Sequence, residues 1–266
     1  MNRAKQIFCL FLLAFSGALN GSSETADFNF PNKPGNDAVG FRVVLQYDYS
    51  RSYRRKVDNM GRPFYGELAR PVQTLIWYPA QQSAAAHITY GDYLNLAATQ
   101  DDFKPSPEQT ASALAFAKKQ FNASPSAAMW AIADAMPQPG KFPVIIYAAS
   151  FNAPAFENAD LCEYLASHGY IVIASPSIGA SSLAGMTDDI EGIEAQAHDI
   201  SFLVGFARTI PEADCSELAV AGFSWGGYRE FFCGCRGYEN YCACGIGWLC
   251  PLFSETSQRF NIRASF

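Results

Sequence analysis

The stretch that most restricts the fold is "ELAVAGFSWGGY", residues 217–228. A short apolar run of strand character, "LAVA", leads directly into Gly222-Phe223-Ser224-Trp225-Gly226, a G-x-S-x-G pentapeptide. The spacing has a mechanical cause. When a strand turns sharply into a helix, the residue at the apex takes a strained backbone conformation. Side chains two positions before and after it would collide with the sheet, so glycines are required at Gly222 and Gly226. Such a turn lifts the Ser224 hydroxyl above the sheet and points the next backbone N–H, that of Trp225, at any oxyanion forming there. The alternative is a glycine-rich turn with an idle serine; the strand directly upstream favours the first reading.

The elements before this turn alternate between strand and helix. "FRVVLQYDY" (41–49) and "VQTLIWYP" (72–79) are rich in β-branched and aromatic residues. "FPVIIYAA" (142–149) and "YIVIAS" (170–175) are continuous apolar runs of the buried-strand kind. Between these two, "NADLCEYLASHGY" reads as a helix closing near Gly169. After 175, Thr187 is expected to cap a long helix with Asp188 and Asp189 at its positive end, Arg208 at its negative end and Pro211 beyond it. This alternation implies a mostly parallel sheet with right-handed crossovers.

Residues 80–140 interrupt the pattern and read as a helical insertion that either covers a pocket or pads the surface. Ser106, Pro107 and Gln109 make a capping box with proline in the first turn. Ser124-Pro125 repeats the start signal before "SAAMWAIADAM", so a second helix is expected there.

Composition sets outer bounds. The 266 residues are 49% hydrophobic and 17% charged, enough for one well-buried domain. A net charge of −6 argues weakly against nucleic acid or an anionic membrane as partner. Residues 1–18 have the form of a signal peptide: Arg3 and Lys5, an apolar core from Ile7 to Phe15, then Ser16 and Ala18 at the −3 and −1 positions. The apolar run is too short to span a bilayer. A buried N-terminal helix is the competing reading. The mature chain is expected to start near Leu19 and to be secreted or periplasmic.

The segments "FPVIIYAASFNAPAFENADLCEYLASHGYIVIASPS" and "AVAGFSWGG" together resemble exported α/β-hydrolases of the dienelactone-hydrolase type, with platelet-activating-factor acetylhydrolases as more distant relatives. The likeness covers roughly 41–227. It implies an α/β-hydrolase fold and a serine esterase with Ser224 as nucleophile, needing no cofactor and no metal. The substrate would be a small-molecule ester, and the oligomeric state stays open. In such folds the second oxyanion N–H comes from the loop after the third strand. Here that loop is Ala149-Ser150-Phe151-Asn152, which assigns the role to Phe151. The His-Gly usual in that loop is absent. Dienelactone hydrolases themselves use a cysteine nucleophile; the serine here favours simple carboxylic esters.

Two features break the resemblance. A triad needs an acid and a histidine after the serine, yet His87, His168 and His198 all precede it. His168 sits where a helix C-cap belongs, and His198 neighbours Asp199 on a helix, where adjacent residues do not face each other. Moreover, the pattern stops at Tyr228. Five of the eight cysteines fall between Cys233 and Cys250, among glycines and without helical period. Zinc sites use C-x₂₋₄-C spacing, which Cys233-x-Cys235 and Cys242-x-Cys244 do not match. A disulfide-stapled tail leaves an odd cysteine unless Cys162 or Cys215 joins. The third reading is a displaced reading frame. The degenerate codons read one base later permit "ANFFAAA-D-KI-ALV-LDGSVRYFPK", an alanine-rich helix, an apolar strand and an Asp-Gly-Ser whose aspartate falls at the Gly247–Trp248 junction. The expectation is therefore a C-terminally incomplete α/β-hydrolase: core 41–227, insertion 80–140 and an aberrant Cys/Gly-rich tail at 228–266. Its sheet should end early at an exposed edge. Its hydrolysis of carboxylic esters at Ser224 would be impaired by the missing acid and base. The alternative is a non-catalytic exported binding protein on a hydrolase scaffold with a disulfide-rich tail.

Overall fold

A computed structural model describes residues 33–57, 60–121, 124–182, 185–226 and 242–246. The signal-peptide reading of 1–18 and most of the tail lie outside the described residues.

Among the described residues, seven strands form one sheet in the order β3 (Ala131–Ala133), then β1, β2, β5, β4, β6 and β7. β1 (Ala38–Ser52) and β2 (Ala69–Ala80) pair antiparallel, and β2 runs antiparallel to β5 (Ile171–Ser175). From there the sheet is parallel: β5 to β4 (Phe142–Ala148), β4 to β6 (Ala213–Phe223) and β6 to β7 (Cys242–Ile246). Helix α3 (Ala159–Ser167) connects β4 to β5, and α4 (Ile190–Ala207) connects β5 to β6. The carboxyl ends of β1, β4, β5 and β6 consequently share one end of the sheet. Loops at that end lead into the elbow at Ser224 and into the excursion between β1 and β2.

Both faces of the central strands are covered, which is why β4 and β5 read as unbroken apolar runs. Ile145 and Tyr147 of β4 and Val172 and Ala174 of β5 pack with Trp77, Phe156, Cys162 and Leu165 on the α3 side. Val144, Ile146, Ile171 and Ile173 pack with Ile200, Leu203 and Val204 of α4 on the other.

The insertion belongs to the core. Its helices α1 (Tyr90–Asn95) and α2 (Pro107–Gln120) bring Tyr90, Tyr93, Leu94 and Ala117 into the cluster on the α3 side. The capping box at Ser106 forms as read: its side chain accepts from the Gln109 N–H while the Gln109 side chain accepts from the Ser106 N–H. The second expected helix does not form. Residues 124–127 make a turn closed by Ala127 N–H donating to Ser124 O at 3.0 Å. Met129 N–H then donates to Ile88 O at 3.0 Å, Ile88 N–H donates to Ala131 O at 2.9 Å, and Ala131–Ala133 becomes strand β3 beside Val39–Phe41 of β1. Alanine-rich composition favours helix by only fractions of a kcal/mol per residue, less than the open edge of β1 gains by being paired.

Two further expectations change. The cap of α4 is Asp189, whose side chain accepts from Gly192 N–H at 3.1 Å, while Thr187 donates to Asp189 at 2.6 Å. The sheet also does not stop at β6, because the backbone of 242–246 continues it in parallel register, Ala219 opposite Cys242 through Phe223 opposite Ile246.

A buried ion-pair network fastens β1 and β2 to α4. Arg70 donates from Nε and Nη2 to the two carboxylate oxygens of Asp199, at 2.6 and 2.5 Å, and from Nη1 to Gly179 O at 2.7 Å. Arg51 donates to Asp199 at 2.7 Å and to Asp48 at 2.6 Å.

Candidate active site

β6 carries the chain to the carboxyl end of the sheet, and the elbow follows. Ser224 has φ 52°, a left-handed conformation that a non-glycine residue seldom adopts. Such a residue costs on the order of 1–3 kcal/mol and persists only where its surroundings impose it. The strand before it and the helical turn at Trp225 and Gly226 do so. Gly226 shows why the flanks are glycine: a Cβ there would lie 2.0 Å from Ala148 O and 2.9 Å from Ala149 O. The elbow is thus pressed against the end of β4. Gly222 is buried and lies in register with Ala148 on one side and Gly245 on the other. Ser224 itself is exposed.

The loop after β4 is braced at almost every residue. Ala149 O accepts from Gln196 Nε2 of α4 at 2.7 Å. Ser150 N–H donates to Glu157 Oε1 at 2.6 Å, and its hydroxyl donates to Glu157 Oε2. Tyr147 OH donates to the same carboxylate at 3.1 Å. Burial pushes the Glu157 carboxyl above its usual range, against the opposing pull of the bonds from Ser150 and Tyr147. Asn152 has φ 55° and accepts Met186 N–H at 2.7 Å on its side-chain oxygen. Ala153 O accepts Ser177 N–H at 2.9 Å. The Ser150 N–H is therefore committed, whereas the Phe151 N–H has no acceptor among the described residues.

The sequence-identified residues come together. The rings of Phe151 and Trp225 meet edge to face, 5.5 Å between centroids at 78°. That contact joins the braced loop to the first helical turn after Ser224. Reading the sequence alone misses Glu157, Gln196 and Asn152. Glu157 was visible only as a charged residue in "APAFENADL" just before a helix, where an exposed acidic residue is the ordinary case.

None of the three histidines is placed beside the elbow by the fold. His168 caps α3, its Nδ1 2.7 Å from Tyr164 O. It precedes β5 by three residues and so stands at the amino end of the parallel strands. Ser224 is at the carboxyl end, a strand length of about 16 Å away. His198 is exposed and lies two residues beyond Gln196, about 200° further round α4 and so turned away from Ala149. It lines a polar cavity of about 310 Å³ with Arg51, Arg70, Glu191 and Glu194. His87 is exposed in the insertion, its Nδ1 2.9 Å from Trp130 O. Among the described residues no group of three His, Cys, Asp or Glu side chains is arranged to hold a metal, and no helix is long and apolar enough to cross a membrane. Cys162 is fully buried in α3, so pairing it with a tail cysteine would require opening the core.

An antiparallel β1–β2 pair followed by β5-β4-β6 in parallel, with a serine at positive φ on the strand-to-helix turn after β6, defines an α/β-hydrolase. A solved esterase shares the fold. The ferulic acid esterase of Streptomyces cinnamoneus superposes with a TM-score of 0.55 at 19% identity, covering 78% of this chain. This chain spans 58% of that esterase. A Klebsiella pneumoniae protein described as a dienelactone hydrolase matches at a TM-score of 0.37 and 14% identity, over 79% of this chain and 63% of its own. Brefeldin A esterase, a bacterial homologue of human hormone-sensitive lipase, matches at 0.38 and 11%, over 80% and 39% respectively. No curated protein matches the chain. The chlorophyllase family matches residues 103–239, just over half of the sequence, and the chain belongs to that family.

Proposed function

We propose that this chain is, by descent, an exported serine hydrolase of carboxylic esters, secreted or periplasmic. Ser224 Oγ adds to the ester carbonyl carbon, and the backbone N–H groups of Trp225 and Phe151 hold the oxyanion. The alcohol leaves with a proton, and water then releases the acid from the acyl-enzyme. The observation that carries this reading is the positive φ of Ser224 between the end of β6 and a helical turn seated against β4. The Phe151–Trp225 ring contact supports it, because it brings the loop after β4 up to the turn that follows Ser224.

The reading includes an impairment. A serine hydroxyl is a weak nucleophile unless a base takes its proton, and no histidine follows Ser224 in these 266 residues. Turnover of p-nitrophenyl acetate by this chain should stay near the buffer rate and be unchanged by Ser224→Ala. Saturable turnover lost in Ser224→Ala would remove the impairment while keeping the nucleophile. The displaced frame gives the converse test. A single-base correction near codon 228 should restore an open frame carrying an aspartate near 247 and a later histidine, and the corrected protein should turn over ester. If it folds and remains inactive, or remains active as Ser224→Ala, the nucleophile assignment fails.

A further inference from the structure

We propose that the excursion between β1 and β2, through its described residues 53–57 and 60–68, docks the protein on an anionic lipid surface at the end of the sheet that carries Ser224.

The excursion is a built element. Tyr53 and Arg54 N–H both donate to Leu68 O, at 2.7 and 3.1 Å, Phe64 N–H donates to Lys56 O at 2.9 Å, and Val57 bridges Pro63. Its base is tied to the β5–α4 loop by Ser182 N–H donating to Tyr53 O at 3.0 Å. Most of its described side chains face solvent nonetheless. Met60 is 80% exposed and Tyr65 91%, with Val57 and Phe64 exposed beside them. Large apolar side chains scattered singly on a surface are ordinary; four on one short tongue are not.

The charge of the tongue is opposite to that of the protein. Residues 53–68 hold Arg54, Arg55, Lys56 and Arg62 against Asp58 and Glu67, in a chain of net charge −6. Arg54 is internal to the fold, bound to Asp102 at 2.9 Å and stacked over Phe64. Arg55 and Lys56 are exposed. Aromatic, methionine and basic side chains interleaved on one projection suit the boundary between headgroups and acyl chains, with the apolar tips inserted and the cations among anionic headgroups. Net charge describes the field at a distance. At contact, within a Debye length of about 8–10 Å, the local basic patch governs.

Direction completes the case. β1 runs parallel to β4, β5 and β6, so its carboxyl end at Ser52 delivers the tongue to the end of the sheet where β6 delivers Ser224. Phe151, Ile190 and Phe223, all exposed, border the same end. Docking through the tongue would turn the elbow toward the lipid. This last step, presentation of a lipid-borne ester, rests on the hydrolase reading, whereas docking does not.

The test is co-sedimentation of the full chain with vesicles of 30% phosphatidylserine in phosphatidylcholine, and with phosphatidylcholine alone, at 50 and 500 mM salt. Binding is expected to the anionic vesicles at low salt only. Each basic residue near such a surface is worth about 1 kcal/mol, so Arg55→Gln with Lys56→Gln should weaken partitioning about thirtyfold. Met60→Ser with Tyr65→Ser should weaken it at least tenfold. Both double variants change exposed residues, and unchanged urea midpoints will verify their folding. Failure to bind anionic vesicles, binding insensitive to both variants, or equally tight binding to duplex DNA would overturn the proposal. The assay reads no ester turnover, so loss of the Ser224 reading leaves it standing.

Discussion

Glu163 offers the sharpest physical test of the core. It lies on α3, fully buried, and its carboxylate accepts from Tyr93 OH and Trp130 N–H, each at 2.7 Å. Trp77 Nε1 donates in turn to Tyr93 OH at 2.6 Å. Burial pushes the Glu163 carboxyl up to about 7 from its ordinary 4.5, against the opposing pull of these bonds. The sign follows from proton counting. Between pH 4.5 and 7 the folded protein holds a proton that the unfolded chain releases, so stability falls as pH rises through that window. At 1.36 kcal/mol per unit, the 2.5-unit difference amounts to about 3 kcal/mol, present in full below pH 4.5 and lost above pH 7. Glu163→Gln abolishes the titration. It also loses one accepted bond, at about 1 kcal/mol, because an amide nitrogen cannot accept from Tyr93 or Trp130. The two stability curves should therefore cross near pH 5: wild type more stable at pH 4, the variant more stable at pH 8. Urea unfolding followed by tryptophan fluorescence at half-unit pH steps measures the difference, with Trp77 inside the network as reporter. Glu157 titrates with the same sign and Asp48 with the opposite one, but both are common to the two proteins and cancel. A variant-minus-wild-type difference that stays constant from pH 4.5 to 8 would refute the reasoning.

Two further substitutions probe how the site is held. Gly226→Ala places a methyl 2.0 Å from the Ala148 carbonyl oxygen; since both atoms belong to packed backbone, destabilisation of about 3 kcal/mol or more is expected by urea unfolding, and a loss below 1 kcal/mol would mean the elbow is not seated as described. Asp199→Ala removes the shared partner of Arg70 and Arg51 and leaves a buried guanidinium uncompensated, at about 3–5 kcal/mol. The double change Asp199→Leu with Arg70→Met should recover much of that loss in the same assay.

What the sequence discloses follows from the range of the forces involved. The capping box at Ser106 and the apolar runs of β4 and β5 are local signals, and each forms where it was read. The stretch 124–136 is different. Its alanines carry a helical preference, but Trp130 N–H is claimed by Glu163 and Ala131–Ala133 by the edge of β1. Both partners are remote in sequence, so no local window contains them. The cap of α4 shows the same limit at short range, because Thr187 and Asp189 are both good caps, and hydrogen bonding to Gly192 decides between them. In the site, Ser224, Gly222 and Gly226 were legible because the elbow is a backbone constraint written into five consecutive residues. Glu157 and Gln196 were not, because they act by reaching a loop from elsewhere in the fold.

The tail tests the same distinction. The displaced-frame reading puts I-x-A-L-V-x-L at positions 240–246, and the strand described at Cys242–Ile246 occupies five of those seven positions, in parallel register with β6. A parallel neighbour for β6 is a demand of the sheet, since β6 is otherwise an unpaired edge beside Ser224. The sequence as it stands meets that demand with Cys-Ala-Cys-Gly-Ile, two of whose five residues, Ala243 and Gly245, have poor strand propensity. The alternative reading offers branched aliphatic side chains in the same register. If the frame is displaced, the corrected protein should be both catalytically competent and several kcal/mol more stable to urea. If the tail is native, the correction replaces residues that the fold uses, and the corrected protein should be less stable to urea than this chain.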